Sequence, residues 1–195
     1  MIIIGITGTL GAGKGTVVEY LVKRKGFAHF SVRGFLTEEL RRRKLPVNRD
    51  TLTAVANELR AKNTPSYIIE KLYEQAAAVG KDCVIESIRT PGEIAALRNK
   101  PGFYLLAVDA DPRVRYNRIR KRNSETDNVS FRTFVMNEER EMHSDNPNKQ
   151  NLAECIRQAD YTLLNNNSIE ALNRHLAVIL KTIYRKQNSQ KPNDT

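Results

Sequence analysis

The chain has no tryptophan, two cysteines and three methionines among 195 residues, and aromatic residues make up only 7%. Cys83 and Cys155 are too few for a disulfide framework and lack metal-ligand spacing, so both read as buried thiols of a reducing compartment. His29, His143 and His175 are scattered, and no zinc or nucleophile–histidine arrangement appears in the sequence. No run approaches the roughly 18–20 apolar residues of a membrane span. The first apolar run begins at residue 2, leaving no room for a signal or transit peptide, so the expected location is cytoplasmic. Acidic side chains are also in deficit: 22 Asp and Glu against 32 Lys and Arg give a net charge of +10. Such an excess suits phosphorylated small molecules, nucleic acid or an anionic membrane surface. Few aromatics interleave with the basic clusters at 41–44 and 113–122, so nucleic acid is the less favoured partner and no membrane partner is expected.

Against these absences stands one dense local pattern. Gly8-Thr9-Leu10-Gly11-Ala12-Gly13-Lys14-Gly15-Thr16 follows directly on the apolar run Ile2-Ile3-Ile4-Gly5-Ile6. An apolar strand, a glycine-rich turn and then Val17, Val18, Leu21 and Val22 at helical spacing form a phosphate-binding loop in its proper context. Glycines let successive backbone N–H groups point inward around a polyphosphate, and the helix N-terminus adds its dipole. Lys14 supplies a mobile charge for the outer phosphates. Gly15 stands where a serine or threonine usually offers its hydroxyl to magnesium. Magnesium is therefore expected to be held through water and phosphate oxygens, with Thr16 reaching an inner phosphate.

Apolar runs and helical patterns alternate along the rest of the chain. Strands are predicted at 27–31, 83–88, 103–109 and 161–165. Helices are predicted at 14–25, 34–44, 50–62, 66–79, 91–98, 112–122, 130–143, 149–158 and 169–185. In the fourth of these, Ile68, Ile69, Leu72, Ala76 and Val79 form the apolar stripe and Gly80 the stop. The alternation predicts an α/β three-layer sandwich around a parallel sheet, as one domain over 1–185. Residues 186–195 are polar and expected to be disordered.

Two groups of side chains qualify as chemical. Glu86 ends an apolar strand and should project beside the phosphate loop, where a carboxylate organises the water shell of magnesium or holds an acceptor. Arg89 follows three residues later, and Arg33 and Arg60 are further candidates to clamp an acceptor phosphate. Arg115, Arg118 and Arg122 recur at helical spacing and so share one face. With the polar stretch 123–128 as a hinge, residues 112–145 would make a lid whose Arg118 and Arg122 meet the phosphoryl group in flight.

The order of these motifs resembles the nucleoside monophosphate kinase and dephospho-coenzyme A kinase group of P-loop kinases, including uncharacterised archaeal kinase-like proteins, to about residue 183. Gly8–Thr16 matches the adenylate-kinase loop. Val84-Ile85-Glu86-Ser87-Ile88-Arg89 is similar to an apolar-Asp-Gly-Ile-Arg segment of the archaeal proteins. The stretch from Asp109 through Arg115, with Arg118 and Arg122, is similar to the start of their lid. Ala159-Asp160-Tyr161-Thr162-Leu163-Leu164-Asn165-Asn166 resembles a strand and loop near the adenine, which implies a nucleotide role for Asn165 and Asn166. The resemblance implies five parallel strands in the order 2-3-1-4-5, ATP and magnesium as cofactors, and transfer of phosphate to a small phosphorylated nucleotide-like acceptor. Two departures concern the acceptor half: Arg33 stands where relatives carry acidity, and Glu86-Ser87 replaces Asp-Gly. Arg33 either grips an acceptor phosphate or marks a change or loss of transfer. The alternatives are a dephospho-coenzyme A kinase, a nucleotide-binding regulator or ATPase without transfer, and a nucleic-acid-directed kinase.

Overall fold

The computed structural model of the chain describes residues 1–122 and 128–189. Five strands, β1 (Ile3–Gly8), β2 (Ala28–Ser31), β3 (Cys83–Glu86), β4 (Phe103–Asp109) and β5 (Tyr161–Leu164), pair in parallel in the order β2-β3-β1-β4-β5. This is the sheet that the motifs imply. The sheet is buried on both faces because its strands are apolar in both directions. Ile3 faces one core with Cys83, Ile85 and Leu105, while Ile4 and Ile6 face the other with Val84, Leu106 and Val108.

Helices cover both faces. The helices in chain order are α1 (Lys14–Lys25), α2 (Val32–Arg42), α3 (Arg49–Lys62), α4 (Tyr67–Val79), α5 (Pro91–Arg98), α6 (Pro112–Arg122), α7 (Phe131–Met142), α8 (Leu152–Arg157) and α9 (Ile169–Ser189). Val17, Val18 and Leu21 of α1 join Leu172, Leu176, Leu180 and Ile183 of α9 over one face. Helices α2 to α5 and α8 supply the other. The chain passes from β1 out to β2, returns to β3 beside β1, and then crosses to β4 on its far side. Strand order therefore reverses around β1, the place where open α/β sheets leave a crevice beyond the strand ends.

Four expectations need correction. The strand expected over 83–88 ends at Glu86, because Ser87 takes a left-handed φ of 70° that no strand accommodates. The helix expected at 34–44 starts at Val32, since the Ser31 side chain accepts from the Gly34 N–H and caps it. Arg33 thus belongs to a helical first turn. Val79 is exposed, because the last turn of α4 runs out past the core before Gly80 stops it. Finally, α9 continues to Ser189, so residues 186–189 are helical, while 190–195 lie outside the described residues. Most of the expected hinge, 123–127, also lies outside them.

Candidate functional site

The loop after β1 is built from contacts that tolerate no side chain. Gly8 has φ 131°, and a Cβ there would lie 2.0 Å from the Val108 carbonyl oxygen of β4. Gly13 has φ 101°, and its Cβ would meet Asn165 Nδ2 at 2.3 Å. Gly15 differs: a Cβ there would meet nothing within 4 Å, so the missing hydroxyl is a matter of sequence and not of room. Gly13 caps α1 without any side-chain bond, which leaves the first N–H groups of the helix for a ligand.

Side chains lock this loop to its surroundings. Thr9 Oγ1 donates to Asp109 Oδ1 at 2.5 Å, and the same oxygen accepts from the Ala110 N–H at 2.8 Å. Asn165 Nδ2 donates to the Ala12 carbonyl at 2.8 Å, and its Oδ1 accepts from Arg118 Nη2 at 3.4 Å. Asn165 thus ties β5 to the loop and to α6. Asn166 is exposed and turns away to accept from the Asp111 N–H. Arg115, grouped by spacing with Arg118 and Arg122, is buried instead of facing the site. It donates to the Ala110 and Leu10 carbonyls and pairs with Glu138 of α7, so it braces the loop against the two helices.

A cavity of about 610 Å³ opens along the loop. Its loop side holds Lys14, Gly15, Thr16, Arg118 and Arg122. The Lys14 ammonium donates to the Gly8 and Thr9 carbonyls at 2.8 and 2.7 Å. Burial above all, and then the Arg89 charge, lower its pKa to about 7, while Glu141 and Glu86 pull the other way. A polyphosphate would reverse that balance. Glu86 lies on the strand beside β1, in register with Ile6 and Ser31. His29 Nε2 sits 3.3 Å from its carboxylate, and this contact, with help from Ser31, holds the carboxyl below its ordinary pKa despite burial.

The remaining wall is a cluster of guanidiniums beside an apolar strip. Arg33 of α2, Arg49 and Arg60 of α3, and Arg89 after β3 share it with Val32, Leu36, Leu52 and Ala56. Arg60 is 2% exposed, which excludes an exposed helix arginine. Its Nη2 donates to Glu93 Oε1 at 2.7 Å, while Nε and Nη1 are buried with no partner. Glu93, fully buried, also accepts from the Arg89 and Thr90 N–H groups and closes the capping box of α5. Arg89 Nη1 donates to Glu141 Oε2 at 2.7 Å and Gln150 Oε1 at 2.8 Å, and Arg49 pairs with the other oxygen of Glu141. All three proposed acceptor arginines therefore line one cavity with the loop. Arg49, Glu141 and Gln150 carry no local sequence signal, and Glu93 carries only the capping-box pattern Thr90-Pro91-Gly92-Glu93; the tertiary fold brings them to the site.

Comparison with known proteins agrees with this construction. The family described as AAA domain matches residues 4–146. The chain belongs to this family. A UPF0200 protein of Methanothermobacter thermautotrophicus is 30% identical over 188 residues, covering 95% of this chain and 93% of the relative. Among solved structures, TT1252 from Thermus thermophilus superposes with a TM-score of 0.58 at 24% identity, over 93% of this chain and 97% of that one. Dephospho-CoA kinase from Campylobacter jejuni gives a TM-score of 0.51 at 13% identity, over 93% and 96%. The fold is that of a P-loop kinase-like protein, and its relatives include UPF0200 proteins of archaea. No helix among the described residues is long and apolar enough to cross a membrane.

Proposed function

We propose that the chain is an ATP-dependent phosphotransferase whose acceptor is a small phosphorylated, nucleotide-like molecule. One observation carries this reading. A single cavity holds a phosphate loop on one side and, on the other, arginines that include Arg60, whose Nε and Nη1 are buried without a partner. A buried donor without a partner costs about 1–3 kcal/mol, and an anionic ligand that draws the Arg60 guanidinium towards the cavity would recover it. The apolar strip of Val32, Leu36, Leu52 and Ala56 suits the flat body of a base beside its phosphate.

In the reaction, an acceptor oxygen forms a bond to the γ-phosphorus as the bond to ADP breaks, and ADP leaves with that electron pair. A phosphate oxygen brings no proton to remove, whereas a hydroxyl acceptor, as on dephospho-coenzyme A, would pass its proton to Glu86 or to water. The work falls to positioning and charge neutralisation by Lys14, Arg118 and Arg122. Arg118 Nη1 is likewise buried without a partner, as a donor waiting for a phosphoryl oxygen would be. Thr16 and Glu86 line the same cavity, and one hydroxyl with one carboxylate suits magnesium, which keeps waters and phosphate oxygens as its other ligands. Those two residues would hold the ion, Glu86 through water, and it would neutralise charge on the outer phosphates. Asn165 supports the loop through the Ala12 carbonyl, and Asn166 would meet the nucleotide only by leaving its bond with the Asp111 N–H.

Ligand-induced thermal stabilisation tests the two halves separately, since each bound ligand adds RT ln(1 + [L]/Kd). ATP should shift the wild-type protein, and so should at least one nucleoside monophosphate or dephospho-coenzyme A. Arg33→Ala should lose the second shift and keep the first. An ATP shift with no acceptor shift would leave a nucleotide-binding ATPase, and steeply salt-dependent oligonucleotide binding would point to nucleic acid.

A further inference from the structure

The acceptor wall already contains an anion of its own. Glu141 lies in the last turn of α7, and its side chain is only 14% exposed. One carboxylate oxygen takes the Arg89 guanidinium at 2.7 Å and the other takes that of Arg49, so a monoanion bridges two of the arginines that line the cavity. Burial raises the Glu141 carboxyl, but Arg89 and Arg49 outweigh burial and hold it below the ordinary range, so it is charged at neutral pH. Arg60 lines the same cavity, with its Nε and Nη1 buried and unpartnered. The wall thus combines occupied arginines with an unsatisfied one.

We propose that Glu141 is a built-in occupant of the acceptor's anion seat, displaced by a ligand bearing a phosphoryl dianion and not by a carboxylate. The inference rests on the kinase reading, which it deepens by naming what the acceptor must carry. A phosphoryl group offers three terminal oxygens and a second negative charge, enough to take the N–H groups of Arg89, Arg49 and Arg60 together. A free carboxylate gains no charge over Glu141 and must compete with a tethered group at high effective concentration. Charge and valence therefore select the dianion.

Displacement has a second consequence. Glu138, one turn before Glu141, holds Arg115 of α6 through Nη2 at 2.9 Å. Helix α6 carries Arg118 and Arg122. Helix α7 is thus pinned to the acceptor wall by Glu141 and to the arginine helix by Glu138. Seating an acceptor frees the first pin and keeps the second, so its arrival is felt by the helix that serves the transferred phosphate.

Glu141→Gln preserves shape and removes the competing charge. With the phosphate loop first filled by a non-hydrolysable ATP analogue and magnesium, inorganic phosphate is titrated calorimetrically into wild type and variant. The occupied fraction lowers apparent affinity, so E141Q should bind phosphate about tenfold more tightly, an ordinary size for coupling within one protein. Acetate should fail on the wild type and bind E141Q. Unchanged or weaker phosphate binding by E141Q would overturn the proposal, because a residue that merely positions Arg89 would weaken binding when altered. Acetate competing as well as phosphate on the wild type would also overturn it. Glu141→Ala, with the same readout, serves if E141Q does not fold. Should the analogue not bind at all, the kinase reading falls, yet the phosphate comparison on the free protein still decides whether Glu141 competes.

Discussion

In the proposed reading, Lys14 is the residue on which the nucleotide side turns. Its ammonium is spent on two loop carbonyls, and burial makes its charge expensive until phosphates arrive. Lys14→Ala should weaken ATP binding and lower turnover by at least about a hundredfold, the scale of losing one transition-state contact. Isothermal titration and steady-state kinetics measure both, and wild-type values in the variant would contradict the role. A second residue tests the electrostatics of the scaffold away from the site. Hydrogen bonds from Arg42 and Arg43 hold the Glu39 carboxyl at about 2, against an ordinary 4.5. A depressed carboxyl stabilises the fold fully above the ordinary value, and that contribution drains away as pH falls towards 2. The wild type should therefore lose stability across that window more steeply than Glu39→Gln in urea titrations at several pH values. Parallel curves would show that the pair adds nothing.

At the scale of elements, α6 divides its arginines in a way that spacing alone does not reveal. Arg115 and Arg118 recur on one helical face, yet Arg115 reaches back to Leu10 and braces the loop, while Arg118 lines the cavity. Arg118→Ala should lower turnover much more than ATP binding, because a contact to phosphate in flight acts mainly in the transition state. Equal losses would mean ground-state attraction only. Sequence pattern makes the loop, the strand before it and the helix after it legible because those signals are local: nine consecutive residues carry the cradle. The Arg60–Glu93 pair and the Glu141 bridge span 33, 52 and 92 positions, so no window of sequence contains them. Ser87 is an intermediate case. Its replacement of a glycine was visible, but the reason a glycine belongs there, a left-handed φ of 70° that ends β3 beside the cavity, belongs to the fold.

For the whole molecule, strand order gathers Lys14, Thr16, Arg33, Arg60, Glu86, Arg89, Arg118 and Arg122 along one crevice. Strand order reverses around β1, so the loop after β1, Glu86 at the end of β3, Arg89 just beyond it, and α6 after β4 all gather at the same strand ends. Six arginines and Lys14 line the cavity, against the carboxylates of Glu19, Glu86 and Glu141. The family match and the kinase-like fold agree with that gathering, and the identity of the acceptor rests on chemistry at the arginine wall. The most direct measurement follows the label from γ-labelled ATP, with magnesium, in parallel reactions containing nucleoside monophosphates or dephospho-coenzyme A. Label should move to at least one phosphorylated acceptor, with little released as inorganic phosphate when acceptor is absent. Label appearing only as inorganic phosphate, at a rate no acceptor changes, would contradict phosphotransfer.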